Sequence, residues 1–168
     1  MRELALAGGA GERGGGVGGG GPAGASSALP NAQSGWSQQS SSEVASHLLA
    51  ESANAHLLLG DYPAAEASAQ EAVSRGRHLL SEGAAAGLMI LSDLASGRCE
   101  YQRALDHAQE AVELTERRAG VLRGWRPEIF LAMALRGLDR FEEADAAIQR
   151  GRLADEERGH VAVLPVYG

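Results

Sequence analysis

Apolar positions recur along the chain at three- and four-residue steps, and the same arrangement of them appears three times. Each copy has a short turn, an aromatic residue and then a series of alanines on one helical face. Ala65, Ala104 and Ala144 occupy the same place in the three copies, at intervals of 39 and 40 residues. A fixed period in this range predicts a solenoid of stacked helix pairs.

The repeated arrangement also predicts where the first helix of each pair ends. In the first copy, Gly60 supplies the left-handed residue that stops a helix. Cys99 and Asp139 stand at that place in the other two copies. We therefore expect the glycines two residues earlier, Gly97 and Gly137, to end those helices.

The residues that define the repeat are either small or aromatic. Alanines let two antiparallel helices approach closely, so we expect them between helices. The aromatic residues stand where the second helix of each pair begins. The set comprises Gly60, Tyr62, Ala65, Ala72, Tyr101, Ala104, Ala111, Phe141 and Ala144.

These features divide the chain into three parts. Residues 1–41 are rich in Gly and Ser, and a disordered tail is expected because glycine loses the most backbone entropy on ordering. Ser40 and Glu43 form a capping-box pattern, which predicts a helix start, and the repeats occupy residues 42–157. Residues 158–168 form a truncated C-terminal segment. The predicted fold is all-α, a right-handed α-solenoid of about three antiparallel helix pairs behind a disordered Gly-rich N-terminal tail.

Composition argues against several functions. The chain has 168 residues, a formal charge of −7 and Arg as its only strongly basic residue, so it lacks the basic stripe that nucleic-acid binding needs. No segment approaches the roughly eighteen apolar residues of a membrane span, and residues 1–7 do not form a signal peptide. A single cysteine, Cys99, suits the cytoplasm. The Lys-free, Arg- and Ala-rich composition indicates a high-GC bacterium.

Motifs for cofactors and metals are weak. Residues 14–21 are nearly all glycine and fit a dinucleotide-binding spacing, but no strand precedes them and no helix follows. His47, Glu51 and His56 are ligand types on one predicted helix. The histidines are nine residues apart, which does not bring both rings together, and no fourth ligand is evident.

Motifs for catalysis are equally weak. Cys99 has no histidine beside it in sequence, although His107 could approach it in the fold. Carboxylates at the start of one predicted helix fit the positive helix end better than acid–base chemistry. They are Asp139, Glu142, Glu143 and Asp145. We therefore predict no enzyme, no cofactor and no metal site.

Residues Gly60 to Ala72 read Gly-Asp-Tyr-x-x-Ala-x-x-x-Ala-x-x-Ala, which resembles the core of a tetratricopeptide repeat, although the period is longer. Residues 135–144, 151–159 and 164–167 resemble the helical-repeat region of large LuxR-type ATP-binding transcriptional regulators of high-GC bacteria. The resemblance covers about residues 44–168. In that family the repeats sense effectors or partner proteins, between a nucleotide-binding domain and a DNA-binding helix-turn-helix. This sequence contains neither neighbour.

The resemblance implies an interaction scaffold, the repeat region of such a regulator without its nucleotide- and DNA-binding domains. Two alternatives stay open, namely a free-standing tetratricopeptide adaptor and an inactive gene fragment. An uncapped last helix pair would expose apolar surface and favour a homodimer. We expect a protein partner or a small effector on the concave helical surface, and neither nucleic acid nor membrane.

Polar residues on the first helix of each pair are the candidates for that surface. In stacked helix pairs, the first helices line the inner groove. The candidate binding residues are Asn54, His56, Ser92, Asp93 and Arg136.

Overall fold

The structure, a computed structural model, describes residues 32–118 and 126–157, with side chains from residue 39 onward. These residues form six α-helices and one short 3₁₀ turn, and no strand occurs among them. The predicted all-α class is therefore confirmed. The helices are α1 (Ala32–Leu58), α2 (Tyr62–Gly76), α3 (Glu82–Gly97), α4 (Tyr101–Arg118), α5 (Pro127–Gly137) and α6 (Phe141–Glu157), and the 3₁₀ turn is Arg77–Leu79.

Some of the sequence predictions lie outside this range. The glycine run at 14–21 and the segment 158–168 are not among the described residues. Within the described ranges, no helix combines the length and the apolar character needed to cross a membrane.

Helix α1 begins earlier than the sequence predicted. Its first residue is Ala32, so the expected boundary between residues 41 and 42 falls inside the helix. Ser40 and Glu43 therefore lie within α1 and do not cap its start, and Glu43 instead pairs with Arg118 at 3.1 Å. The physical reason is that residues 36–59 contain neither glycine nor proline, so nothing in that stretch stops a helix.

The three turns that join α1 to α2, α3 to α4 and α5 to α6 have the same geometry. Gly60, Cys99 and Asp139 adopt left-handed backbone angles, with φ of 78°, 62° and 59°. The N–H of the next residue donates to the carbonyl oxygen five residues earlier, at 2.9 Å in each turn. This is the 6→1 bond of a Schellman motif.

Gly97 and Gly137 are the last helical residues of α3 and α5, so both helices end at the glycines that the sequence predicted. Neither glycine has a positive φ, and the left-handed residue of each turn is Cys99 or Asp139, two positions later. The hydrogen-bond register of the turn sets which residue must be left-handed, whatever its type. A non-glycine residue at such a position carries backbone strain.

Contacts between helices follow a regular order. Each helix packs against the next one along the chain, and α3 also contacts both α1 and α5. One cluster of buried apolar side chains joins α1, α2, α3 and α4, and a second joins the end of α3 to α4, α5 and α6. Phe130 packs against both clusters. Helix α3 is the central helix, buried at every residue from Gly83 to Ser92.

The repeat-defining alanines lie between these helices. Their exposed fractions are 0%, which holds for Ala65, Ala72, Ala104, Ala111 and Ala144. The aromatic residues that begin α2 and α6 are more than half exposed, whereas Tyr101 at the start of α4 is half-buried.

Helices α1 and α3 touch at backbone distance. A Cβ atom at Gly83 would lie 2.3 Å from the backbone carbonyl carbon of Ser46, so only glycine fits there. The buried Ser46 hydroxyl donates to the carbonyl oxygen of Ala72 at 2.8 Å and lies 3.0 Å from the Ser81 hydroxyl. Ser81 in turn accepts the N–H of Ala84 and caps α3. One buried hydroxyl therefore links α1, α2 and the start of α3.

We expect the turn residues to respond in opposite directions to substitution. Cys99→Gly should raise the free energy of unfolding by about 0.5–1 kcal/mol because it relieves left-handed strain, and Gly60→Ala should lower it by about 1 kcal/mol. Gly97→Ala is the control, since a Cβ there meets nothing within 4 Å. It should be neutral or stabilising in urea unfolding. A loss at Gly97 as large as that at Gly60 would contradict this account of the turns.

Gly83→Ala should destabilise the chain by about 3 kcal/mol, because a backbone atom of α1 cannot move aside without shifting the helix. Ser46→Ala should cost about 1 kcal/mol, the usual value of one hydrogen bond. Urea unfolding of both variants shows which substitution lowers the free energy of unfolding more. A smaller effect at Gly83 than at Ser46 would show that the two helices are not held at backbone contact.

Candidate functional site

An open cleft lies between the turn that joins α1 to α2 and the C-terminal end of α3. Its volume is about 340 Å³. The contact of α1 with α3 brings the ends of these two helices side by side. The lining residues are Leu57, Tyr62, Asp93, Leu94, Gly97 and Arg98. The cleft therefore combines apolar walls, one aromatic ring and two charged groups.

Asp93 is the half-buried carboxylate of this cleft. Among the described residues, none forms a hydrogen bond or an ion pair with it. Burial raises the pKa of the Asp93 carboxyl. A carboxylate that has lost water without gaining a partner is stabilised by any cation or hydrogen-bond donor that enters the cleft.

The cation in the wall, Arg98, is committed elsewhere. Its Nη2 atom lies 2.7 Å from Oε2 of Glu66 on α2. The hydrogen bond from Arg98 lowers the pKa of the Glu66 carboxyl, and Arg103 adds a second contact to it at 3.4 Å. Glu66 thus balances Arg98, and within the described part of the chain the charge of Asp93 is left without compensation.

The corresponding place between the ends of α3 and α5 is filled. A Cβ atom at Gly137 would lie 2.1 Å from the Tyr101 ring, so the ring packs directly on the end of α5. At Gly97, one repeat earlier, a Cβ atom would meet nothing within 4 Å. Tyr62, the counterpart of Tyr101, is 54% exposed. The cleft is open because its own aromatic ring does not close on Gly97.

The structure places the five predicted binding residues in different surroundings. Asp93 lines the cleft, whereas Asn54 is a half-buried residue of α1. Nδ1 of His56 lies 3.9 Å from Oδ2 of Asp61 in the turn. Arg136 is exposed, and its Nη2 lies 3.4 Å from Oδ1 of Asp145 on α6. Asp93 is the one of these residues that lines the cleft described above.

Ser92 has a structural role and cannot line a groove. It is 1% exposed, and its hydroxyl donates to the carbonyl oxygen of Ala104 at 2.9 Å. This bond fastens α3 to α4. A place on the first helix of a pair does not show which of two neighbouring residues faces outward. For that reason, Ser92 and Asp93 were both predicted as binding residues.

The other cleft residues were missed as a site. In the sequence, Tyr62 was interpreted as a repeat-defining residue and Gly97 as a helix-ending glycine. No function was predicted for Leu57 or Arg98. The signal that could have found them is the repeat interval, because the cleft joins residues at the end of α1 and the start of α2 to residues near the end of α3.

The other polar groups that the sequence indicated as candidates either form local contacts or lie away from the cleft. Glu143 accepts two bonds from Arg140 at 2.7 Å, and that pair lowers the pKa of the Glu143 carboxyl. Burial lowers the pKa of His107, whose Nε2 forms no hydrogen bond with any described residue. No group of three or more metal-binding side chains occurs within residues 32–118 and 126–157.

No family model, no curated protein and no solved structure matches this chain.

Replacing the Asp93 charge should increase stability slightly. Burial raises the folded-state pKa above its unfolded value, so the folded state binds more protons and the charge disfavours folding as pH rises. Asp93→Asn should add a few tenths of a kcal/mol at pH 7, because solvent screens a half-exposed group, and the gain should shrink as the pH falls.

Asp106→Asn on α4 is the matched control, since that carboxylate is exposed and accepts a hydrogen bond from Gln102 at 3.0 Å. Asp106→Asn should not raise the free energy of unfolding in urea, either at pH 7 or at lower pH. A loss of stability in Asp93→Asn would mean that the carboxylate has a partner that supports the fold.

Proposed function

We propose that this chain is a non-catalytic interaction scaffold, a tetratricopeptide-like, right-handed α-solenoid of antiparallel helix pairs that binds a protein segment or a small effector. The observation that supports it best is the triple recurrence of one turn. Gly60, Cys99 and Asp139 share a left-handed conformation and the same 2.9 Å bond at the repeat interval. Equal turns at equal spacing favour equal helix pairs.

The contacts among odd-numbered helices support a shared binding surface. Helix α3 contacts α1 on one side and α5 on the other, so residues of the three helices can present one continuous face. The Asp93 cleft opens where α1 and α3 end, and it offers a charge that no described residue of the chain pairs with. A ligand that bridges neighbouring helices would use both features.

The resemblance to LuxR-type regulators suggests where such a scaffold acts. We propose a bacterial, cytoplasmic role in transcription regulation, in which the repeats sense a partner or an effector and do not contact nucleic acid. The acidic charge of −7 favours this division of labour, because a phosphate backbone would be repelled.

A capture experiment with two charge-reversed variants tests the scaffold. Full-length chain, Asp93→Arg and Asp106→Arg are immobilised and exposed to extract from the source bacterium, and bound proteins are quantified by mass spectrometry. Asp93→Arg should reduce recovery of at least one specific partner by about tenfold or more, because a buried charge mismatch costs at least 1.4 kcal/mol. Asp106→Arg, on the even-numbered helix α4, should leave recovery unchanged.

Equal recovery by all three proteins would contradict a binding surface on the odd-numbered helices. Circular dichroism and urea unfolding of each variant show that a loss of recovery does not come from unfolding.

A further inference from the structure

We propose that the Asp93 cleft binds the side chain of an arginine from a partner segment, with the guanidinium between the Asp93 carboxylate and the Tyr62 ring. This rests on the proposed scaffold function and names the group that the scaffold recognises. Three features of the cleft lead to it, namely its unbalanced charge, the empty space beside Gly97 and its apolar walls.

Charge decides that the ligand is a cation. Asp93 is half-buried without a hydrogen bond or an ion pair from the described residues. Arg98 cannot serve as its partner while its guanidinium is held 2.7 Å from Glu66. Arg103 reinforces that arrangement, since it lies 3.4 Å from the other Glu66 oxygen and 3.1 Å from Glu100. An incoming cation is the group that completes the charge pairing of this cleft.

The shape of the empty space selects a flat cation. Against Gly137, the chain fills the same place with the ring of Tyr101. Against Gly97 there is nothing within 4 Å of a Cβ position, so the cleft retains room for a planar group. A guanidinium is planar, stacks flat on aromatic rings and forms two parallel hydrogen bonds with a carboxylate. An ammonium is a compact point charge that can neither stack flat nor form such a paired contact.

The walls suit the rest of an arginine side chain. Leu57 and Leu94 offer apolar surface for its three methylene groups. Tyr62 is 54% exposed at the first residue of α2, so its ring is accessible to an approaching side chain. The cation–π contact and the ion pair therefore come from two different helices, which makes binding depend on the packing of α1 and α2 against α3.

The test is an NMR titration of the full chain with three small probes. They are N-acetyl-arginine N-methylamide, its citrulline analogue, which is neutral and nearly the same shape, and N-acetyl-lysine N-methylamide. The arginine probe should shift the backbone signals of Tyr62, Asp93 and Gly97 saturably, with a Kd on the order of millimolar. The citrulline probe should bind at least about tenfold more weakly, and the lysine probe should bind more weakly than arginine.

Two variants locate the site. Asp93→Asn should weaken arginine binding about tenfold or more while the protein stays folded, and Gly97→Met should abolish binding because its side chain occupies the cleft. Asp106→Asn should bind the arginine probe as the unchanged chain does. Equal binding of citrulline and arginine, equal binding of lysine, or full binding by Asp93→Asn would each overturn the proposal.

The two proposals can fail separately. If arginine binds at Asp93 while partner capture is indifferent to Asp93→Arg, the cleft has the inferred chemistry but the scaffold does not use it. If capture depends on Asp93 and no arginine probe binds, the scaffold stands and the arginine assignment is wrong.

Discussion

Close approach between helices is the constraint on which the rest of this structure depends. Helix α1 meets α3 at a distance that admits no Cβ atom at Gly83, and the alanines of α2, α4 and α6 that face their neighbours are fully buried. Larger apolar side chains fill the interior beside these contacts, chiefly on α3, where Leu88, Met89 and Ile90 are at most 1% exposed. Stability comes from many short contacts and from buried bonds such as that between Ser46 and the Ala72 carbonyl.

Openings remain both along the helices and at their ends. One cleft of about 420 Å³ is lined by residues of α2, α3 and α4 that include Val73, Leu88 and His107. At two of the helix ends, the space beside the turn depends on the position of one aromatic residue. Tyr101 closes that space against Gly137, and Tyr62 leaves it open at Gly97. The Asp93 cleft is thus a local departure from a repeated arrangement, and the departure is confined to the side chains around one helix end.

The order of the helices was largely predictable from the spacing of small residues. A left-handed turn followed by buried alanines recurs at a regular interval, and that interval is visible in the sequence. The start of α1 was not predictable, since its first residues are polar and show no apolar periodicity, yet nothing in residues 36–59 interrupts a helix. The ends of α3 and α5 at Gly97 and Gly137 were predicted, but the left-handed residues of the turns that follow were missed. A glycine was expected in the left-handed place, whereas the hydrogen-bond register puts Cys99 and Asp139 there.

The candidate site was predictable only in part. A carboxylate on an odd-numbered helix can be identified from the sequence, but whether another side chain pairs with it cannot. Asp93 lacks a partner among the described residues because Arg98 pairs with Glu66, which lies on a different helix. Asp93 has counterparts one interval before and after it, Asn54 on α1 and Met133 on α5, which carry an amide and a thioether. The turns recur, but the side chains at corresponding positions differ, and the half-buried charge of Asp93 arises from that difference.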